Sequence, residues 1–304
     1  MSVLTRWLSK RVSARALLGL ALAAIATALA ASHGWAANGP RPWELGFRPA
    51  ATPVMQRLVA FHDYIILPII FAIATFVLGL LLYVIVRYSD RRNPVPSRTS
   101  HNTVIEMMWT IVPVLILVVI AIPSFKLMYY MDKAKNPQMT IKVTGHQWYW
   151  TYQYPDQGKL SFDSNMVRDA SLKPGQERLL TADNPLVVPI DTTIQVLVTS
   201  TDVIHSWFVP EFGVQEYGVP GRVNESWFRI ERPGIYYGQC NQLCGINHAY
   251  MPIEIHAVSK EEFQSWLKGA KQKFAATAPA NPVRLAAVPT SPGASGEASA
   301  GIHH

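Results

Sequence analysis

The chain has 304 residues, of which 49% are hydrophobic and only 15% charged, which favours a membrane-attached protein over a wholly soluble one. Its net charge is +7, yet residues 129–270 contain 12 Lys and Arg against 15 Asp and Glu. This mildly acidic region argues against nucleic acid as a ligand and suits a basic protein partner.

Residues 1–36 have the pattern of a cleavable secretory signal peptide. A basic start without acids precedes an Ala- and Leu-rich stretch from Ala16 to Ala31, and small residues follow at Gly34 and Ala36. Cleavage is expected near Ala36, and an uncleaved membrane anchor is the alternative. In both cases the following segment starts on the far side of the membrane.

Two uncharged stretches predict a transmembrane hairpin within residues 37–128. Residues 64–86 and 107–125 would form helices of about 35 Å and 28 Å at ~1.5 Å per residue, enough for a hydrocarbon core of ~30 Å. Residues 87–105 between them carry four Arg and one Asp. Short basic loops stay cytoplasmic, so the segment before the first helix and the chain after the second helix are expected on the opposite side of the membrane. Two bare helices also require a larger membrane partner.

Residues 129–270 predict an all-β outer domain, either a sandwich or a barrel. Short β-branched or alternating runs are separated by turn residues rich in Pro, Gly and Asp. These runs lie at residues 141–143, 194–198, 226–230 and 253–258. A short helix is expected at Glu261–Lys268. The Ala-, Pro-, Ser- and Gly-rich residues 271–304 are expected to be disordered.

The two cysteines of the chain share one short segment with other soft metal ligands. Cys240, Cys244, His248 and Met251 follow the spacing C-x-x-x-C-x-x-x-H-x-x-M. Copper prefers thiolate, imidazole and thioether ligands, and two thiolates could bridge two copper ions. His205, which follows a predicted strand, is a candidate for the second imidazole. A disulfide or a zinc site is the alternative, but a disulfide leaves both histidines unexplained and zinc has no use for a thioether.

The sequence D-V-I-H-S-W at residues 202–207, followed by this motif, resembles subunit II of cytochrome c oxidase, and the resemblance spans about residues 60–268. It implies a cupredoxin-like Greek-key barrel with a dinuclear copper centre, Cu-A. The ligands implied by the resemblance are His205, Cys240, Cys244, His248, Met251 and the main-chain carbonyl of Gln242.

The resemblance also implies roles for five other residues. Trp148 matches the exposed tryptophan that takes the electron from cytochrome c, whereas the neighbouring aromatic residues are expected to pack. Glu106 matches the entrance of a proton channel, although its position alone also fits an ordinary interfacial acid. Asp156, Asp163 and Asp202 lie on segments that steer a basic cytochrome by charge.

The chain departs from the family pattern at Gln242, where a Glu usually helps to bind Mg²⁺ at the contact with subunit I. An amide oxygen can approach Mg²⁺ but brings no charge, so a magnesium ion is only a possible cofactor here. Gln215 and Tyr217 also replace a usual Lys and Asp. The chemistry at this contact is therefore expected to differ.

These inferences predict subunit II of a cytochrome c oxidase in a bacterial inner membrane, with its C-terminal domain in the periplasm. Electrons would pass from cytochrome c through the copper pair to haem in subunit I, where oxygen reduction and proton translocation occur; subunit III is a further expected partner. The alternative is the Cu-A subunit of a nitric oxide reductase. A quinol oxidase subunit would lack the copper ligands, and a copper carrier would need no hairpin.

Overall fold

The computed structural model describes residues 39–275 except Pro96 and Lys159. The predicted signal peptide, residues 1–36, lies outside the described residues. So does the predicted tail, residues 271–304, beyond Ala275.

The hairpin consists of two long apolar helical segments. Helix α1 (Pro53–Phe61) continues through a π-helical turn (His62–Ile66) into α2 (Leu67–Arg87), and α3 (Thr103–Asp132) returns. Both segments are long and apolar enough to cross a membrane, as predicted. They extend past the predicted limits 64–86 and 107–125, because hydrogen bonding within a helix continues until a cap or another part of the fold ends it.

The outer domain is a sandwich of two five-stranded sheets, which confirms the predicted all-β class. The strands of the described chain are β1 (Met139–His146), β2 (Tyr149–Tyr154), β3 (Leu160–Ser164), β4 (Leu186–Pro189), β5 (Ile194–Ser200), β6 (His205–Val209), β7 (Val214–Gly218), β8 (Asn224–Phe228), β9 (Gly234–Cys240) and β10 (Pro252–Val258). The sheet orders are β3-β2-β1-β5-β8 and β4-β10-β9-β6-β7. Each of the four predicted runs overlaps a strand.

The core lies between the two sheets because their strands alternate in burial. Along β1 and β5, buried residues alternate with half-buried ones, as expected for strands with one face on the core. Large aromatic side chains fill the space, among them the fully buried Trp150, Tyr152, Trp207 and Phe228. This dense core holds the strand ends in fixed positions.

The segment before α1 is bonded to the outer domain. The amide of Ala51 donates to the carbonyl of Glu211 (2.9 Å), and the amide of Glu231 donates to the carbonyl of Ala51 (3.1 Å). The Thr52 hydroxyl caps α1 by accepting from the amide of Met55. The same hydroxyl donates to the main-chain carbonyl of Phe212. The hairpin therefore starts from a point fixed on the sandwich.

A second join between hairpin and sandwich involves Arg57 on α1, Tyr130 on α3 and Trp227 on β8. The guanidinium of Arg57 lies 3.6 Å from the centre of the Tyr130 ring. The Trp227 indole N–H donates to the Tyr130 carbonyl (3.0 Å), and the two rings meet edge to face at 5.4 Å. Both helices and the sandwich thus meet at one tyrosine.

The terminal helix is longer than predicted. Helix α4 (Lys260–Ala275) continues past Lys268, so the range 271–304, expected to be disordered, begins with five helical residues. Its N-terminus is a capping box, in which Ser259 and Glu262 each bond the other's main-chain amide. Phe274 stacks on Phe162 of β3 at 4.6 Å, which anchors the last turn.

Candidate metal centre

The predicted ligands converge at one end of the sandwich. His205 is the first residue of β6, Cys240 is the last of β9, and Met251 directly precedes β10. Strand β9 lies between β6 and β10, with Trp207 opposite Cys240. The linear motif and the distant histidine are therefore joined because these three strands are neighbours.

The two cysteines are reduced and lie side by side. Their Sγ atoms are 3.9 Å apart, well beyond the ~2.05 Å of a disulfide bond. Both side chains are buried. The disulfide considered from the sequence is therefore not formed in this structure, and the two sulfurs face each other across a gap that an ion could bridge.

The imidazoles and the thioether approach these sulfurs from several sides. Nδ1 of His205 lies 3.9 Å from Sγ of Cys240, and Nδ1 of His248 lies 3.4 Å from Sγ of Cys244. Sδ of Met251 is 3.6 Å from Sγ of Cys244. Two thiols, two imidazoles and one thioether form a donor set that fits copper and leaves zinc with an unused ligand.

Gln242 contacts this cluster through its backbone. Its carbonyl oxygen lies 3.3 Å from Sγ of Cys240, and its role as the sixth ligand stays a prediction. The residue also lines a cavity of about 520 Å³ with Glu216, Arg222 and Asn224. The proposed role of the residue 242 carbonyl therefore does not depend on whether the side chain is Glu or Gln.

The two thiols differ in their acidity. Burial raises the pKa of the Cys240 thiol, but hydrogen bonds from His205 and from the main chain outweigh this and hold it below its usual value. Burial and the neighbouring Cys240 charge raise the pKa of Cys244 to about 12. Cys240 is therefore the more acidic of the two thiols, and a bound cation would favour the thiolate form of both.

Trp148 lies against the loop that carries the cysteines. Its indole N–H donates to the carbonyl of Cys244 (3.2 Å), and the side-chain amide of Gln147 donates to the same oxygen (2.8 Å). Gly245 has a φ of +122°, and a Cβ there would lie 2.9 Å from Cζ2 of Trp148. The contribution of Gln147 and Gly245 was not expected from the sequence.

Glu106 lies in the hairpin, away from this cluster. It is in the first turn of α3, where it accepts from the Asn102 amide (3.1 Å), while the Asn102 side chain accepts from the Ile105 amide (3.3 Å). This reciprocal bonding caps the helix. A role in proton uptake stays a prediction.

The three predicted docking acids have different surroundings. Asp156 accepts from the Thr140 amide (2.7 Å) and Asp163 accepts from the Thr151 hydroxyl (2.6 Å), and both residues are exposed. Asp202 instead contacts His205 within the metal cluster (2.9 Å). The three carboxylates are therefore not equivalent.

Comparisons with known proteins agree across both parts of the chain. The family model "Cytochrome C oxidase subunit II, periplasmic domain" matches residues 139–258, and "Cytochrome C oxidase subunit II, transmembrane domain" matches residues 40–127. A "Probable cytochrome c oxidase subunit 2" of Rickettsia bellii is 50% identical over 240 residues, covering 79% of this chain and 88% of the relative. The "Cytochrome c oxidase subunit 2" of Oenothera berteroana is 48% identical, covering 76% and 91%.

A solved structure is also similar in sequence. The periplasmic domain of subunit II of cytochrome oxidase (CoxB) of Bradyrhizobium japonicum is 50% identical, covers 47% of this chain and 99% of that chain, and has a TM-score of 0.44.

Proposed function

Because the chain belongs to the subunit II family of cytochrome c oxidase and has its role in that complex, we propose that its outer domain takes electrons from cytochrome c at a dinuclear copper centre and passes them to haem in subunit I. The observation that carries this proposal is the convergence of two thiols, two imidazoles and a thioether from β6, from β9 and from the segment between β9 and β10. The relatives bear the oxidase name, so the nitric oxide reductase alternative is not retained.

The residues proposed to hold the copper pair are His205, Cys240, Gln242 through its carbonyl, Cys244, His248 and Met251. When bound, the copper pair supplies a one-electron site whose charge is shared over two metals and two sulfurs. The protein itself holds these donor atoms in fixed positions and shields them from water. Cys240, Cys244 and Met251 are buried, and strands set on a dense core leave the donors little freedom to rearrange.

Trp148 is proposed to receive the electron from cytochrome c. Its indole is half-buried, so one edge is accessible to a partner. Its N–H bonds the carbonyl of Cys244, a proposed ligand residue, which gives a short connection from the surface to the metal. Asp156 and Asp163 are exposed carboxylates that would attract a basic cytochrome.

The hairpin is proposed to lie in a bacterial inner membrane, with the outer domain in the periplasm and with subunits I and III as partners. Its helices expose large apolar side chains along their length, which suits lipid and other membrane helices. Glu106 would then lie at the cytoplasmic side, where it could admit protons. Gln242 offers Mg²⁺ only a neutral oxygen, so a magnesium ion would depend on ligands from subunit I.

The test is copper analysis of the purified full-length chain in detergent. We expect two copper ions per chain and a seven-line hyperfine pattern, since one unpaired electron is shared by two equivalent copper nuclei. Met251→Leu should change the hyperfine splitting, whereas the matched variant Met128→Leu, on the exposed face of α3, should not. One copper per chain with a four-line pattern would refute the dinuclear centre.

A further inference from the structure

The carboxylate of Asp202 is shared between two parts of the proposed centre. One oxygen, Oδ1, bonds Nε2 of His205 (2.9 Å), the Val203 amide (2.6 Å) and the Ser200 hydroxyl (3.2 Å). The other oxygen, Oδ2, accepts from the backbone amide of Gln147 (2.7 Å). These contacts hold the carboxylate of Asp202 in one fixed orientation, although its side chain is 29% exposed.

The bond to His205 determines how that imidazole is presented. A carboxylate only accepts hydrogen bonds, so Nε2 of His205 carries a proton, and in the neutral ring that binds a metal the lone pair lies on Nδ1. Nδ1 is the atom that faces Cys240. The His205 side chain is 0% exposed, so with Asp202 in place its Nε2 is shielded from solvent and bonds the carboxylate. This carboxylate–histidine pair therefore sets both tautomer and ring orientation for a metal.

The bond to Gln147 reaches the turn between β1 and β2. At this turn the Gln147 backbone is held by Asp202, while the Gln147 and Trp148 side chains are both held by the Cys244 carbonyl. The turn is thus tied to the metal cluster from two directions. A shift of Asp202 would move His205 and the Trp148 turn together.

We propose that Asp202 is a positioning residue that fixes His205 for copper and Trp148 for electron transfer, and not primarily a docking acid. This inference rests on the proposed copper function. A negative charge beside a ligand stabilises the more positive oxidised centre, so removing it should raise the midpoint potential. Losing such a partner of a metal ligand typically costs 10–100-fold in metal affinity or activity.

The experiment compares Asp202→Asn with Asp163→Asn in the complete oxidase. We expect Asp202→Asn to change the copper hyperfine splitting, raise the midpoint potential and slow electron transfer from cytochrome c about 10–100-fold. Asp163→Asn removes an exposed charge that bonds only a threonine hydroxyl, so it should raise KM for cytochrome c and leave the spectrum and potential unchanged.

A charge-conserving variant covers the case in which Asp202→Asn does not fold. Asp202→Glu keeps the charge but displaces the carboxylate by one methylene. If Asp202 positions His205, this variant should have an altered copper spectrum; if Asp202 only docks cytochrome c, the spectrum should be normal. Normal spectra and potentials in both Asp202 variants, with only KM changed, would overturn the inference. Failure of the wild-type chain to bind two coppers would instead refute the proposed function.

Discussion

Gly145 leaves no room for a side chain beside the proposed ligand His205. It lies on β1, opposite Trp150 of β2 and in register with Ser200 of β5. A Cβ at this position would lie 2.8 Å from Cδ2 and 3.0 Å from Cγ of His205. Carbon atoms in contact are normally ~3.5–4.0 Å apart, so Gly145→Ala must displace the ring or separate the strands.

The ring has few directions in which to move. It is buried, its Nε2 is held by Asp202, and it meets the Trp150 ring edge to face, with ring centres 5.9 Å apart. Overpacking of this kind costs about 1–3 kcal/mol. For a domain of this size that corresponds to a fall in Tm of roughly 2–10 °C. The displaced imidazole should also change the copper hyperfine splitting.

The assay is thermal unfolding of the full-length chain followed by circular dichroism, together with the copper spectrum. The matched control is Gly269→Ala, because Gly269 lies inside α4 with open space around it. Ala is favoured over Gly in a helix by about 1 kcal/mol, so this control should raise Tm slightly. A Gly145→Ala protein with wild-type Tm and wild-type spectrum would refute the steric argument.

Two further substitutions test contacts of the outer domain. Tyr154→Phe removes a buried hydroxyl that donates to the Val187 carbonyl and accepts from its amide, so unfolding should be easier by about 1–3 kcal/mol; an unchanged Tm would contradict this. Arg48→Met leaves the buried Glu211 carboxylate, 2% exposed, without its 2.7 Å partner. Burial already raises the pKa of Glu211 and Arg48 opposes that rise, so the variant should raise it further. An acid whose pKa is higher in the folded than in the unfolded state destabilises the fold as pH rises above its unfolded-state pKa. The drop in Tm caused by Arg48→Met should therefore be larger at pH 8 than at pH 5. The double variant Arg48→Met with Glu211→Gln should lose this pH dependence.

Linear spacing made the copper loop recognisable, because Cys240, Cys244, His248 and Met251 all lie within twelve residues. The apolar stretches likewise located both membrane helices. The ends of these helices were less predictable, since they depend on tertiary contacts. The hydroxyl of Thr52, for example, both caps α1 and bonds the outer domain.

The parts of the site that sequence reasoning missed depend on strand register. Gly145 is beside His205 because β1 and β5 run parallel, with Gly145 paired to Ser200. The contact between Asp202 and Gln147 could not be predicted either, because it joins residues 55 positions apart; the docking role of Asp202 stays a prediction. The length of α4 was underestimated for the same reason, since Phe274 is held by Phe162, far away in the chain.

The bonds between the segment before α1 and the outer domain have a consequence for biosynthesis. Thr52 meets its partner Phe212 across 160 positions of chain, so this contact cannot form until the chain has been translated and exported past the middle of the outer domain. The two helices must therefore stay inserted in the bilayer on their own hydrophobicity during that interval. Docking of the sandwich onto the hairpin is accordingly a late event in maturation, and the fully joined structure arises only after the membrane topology is settled.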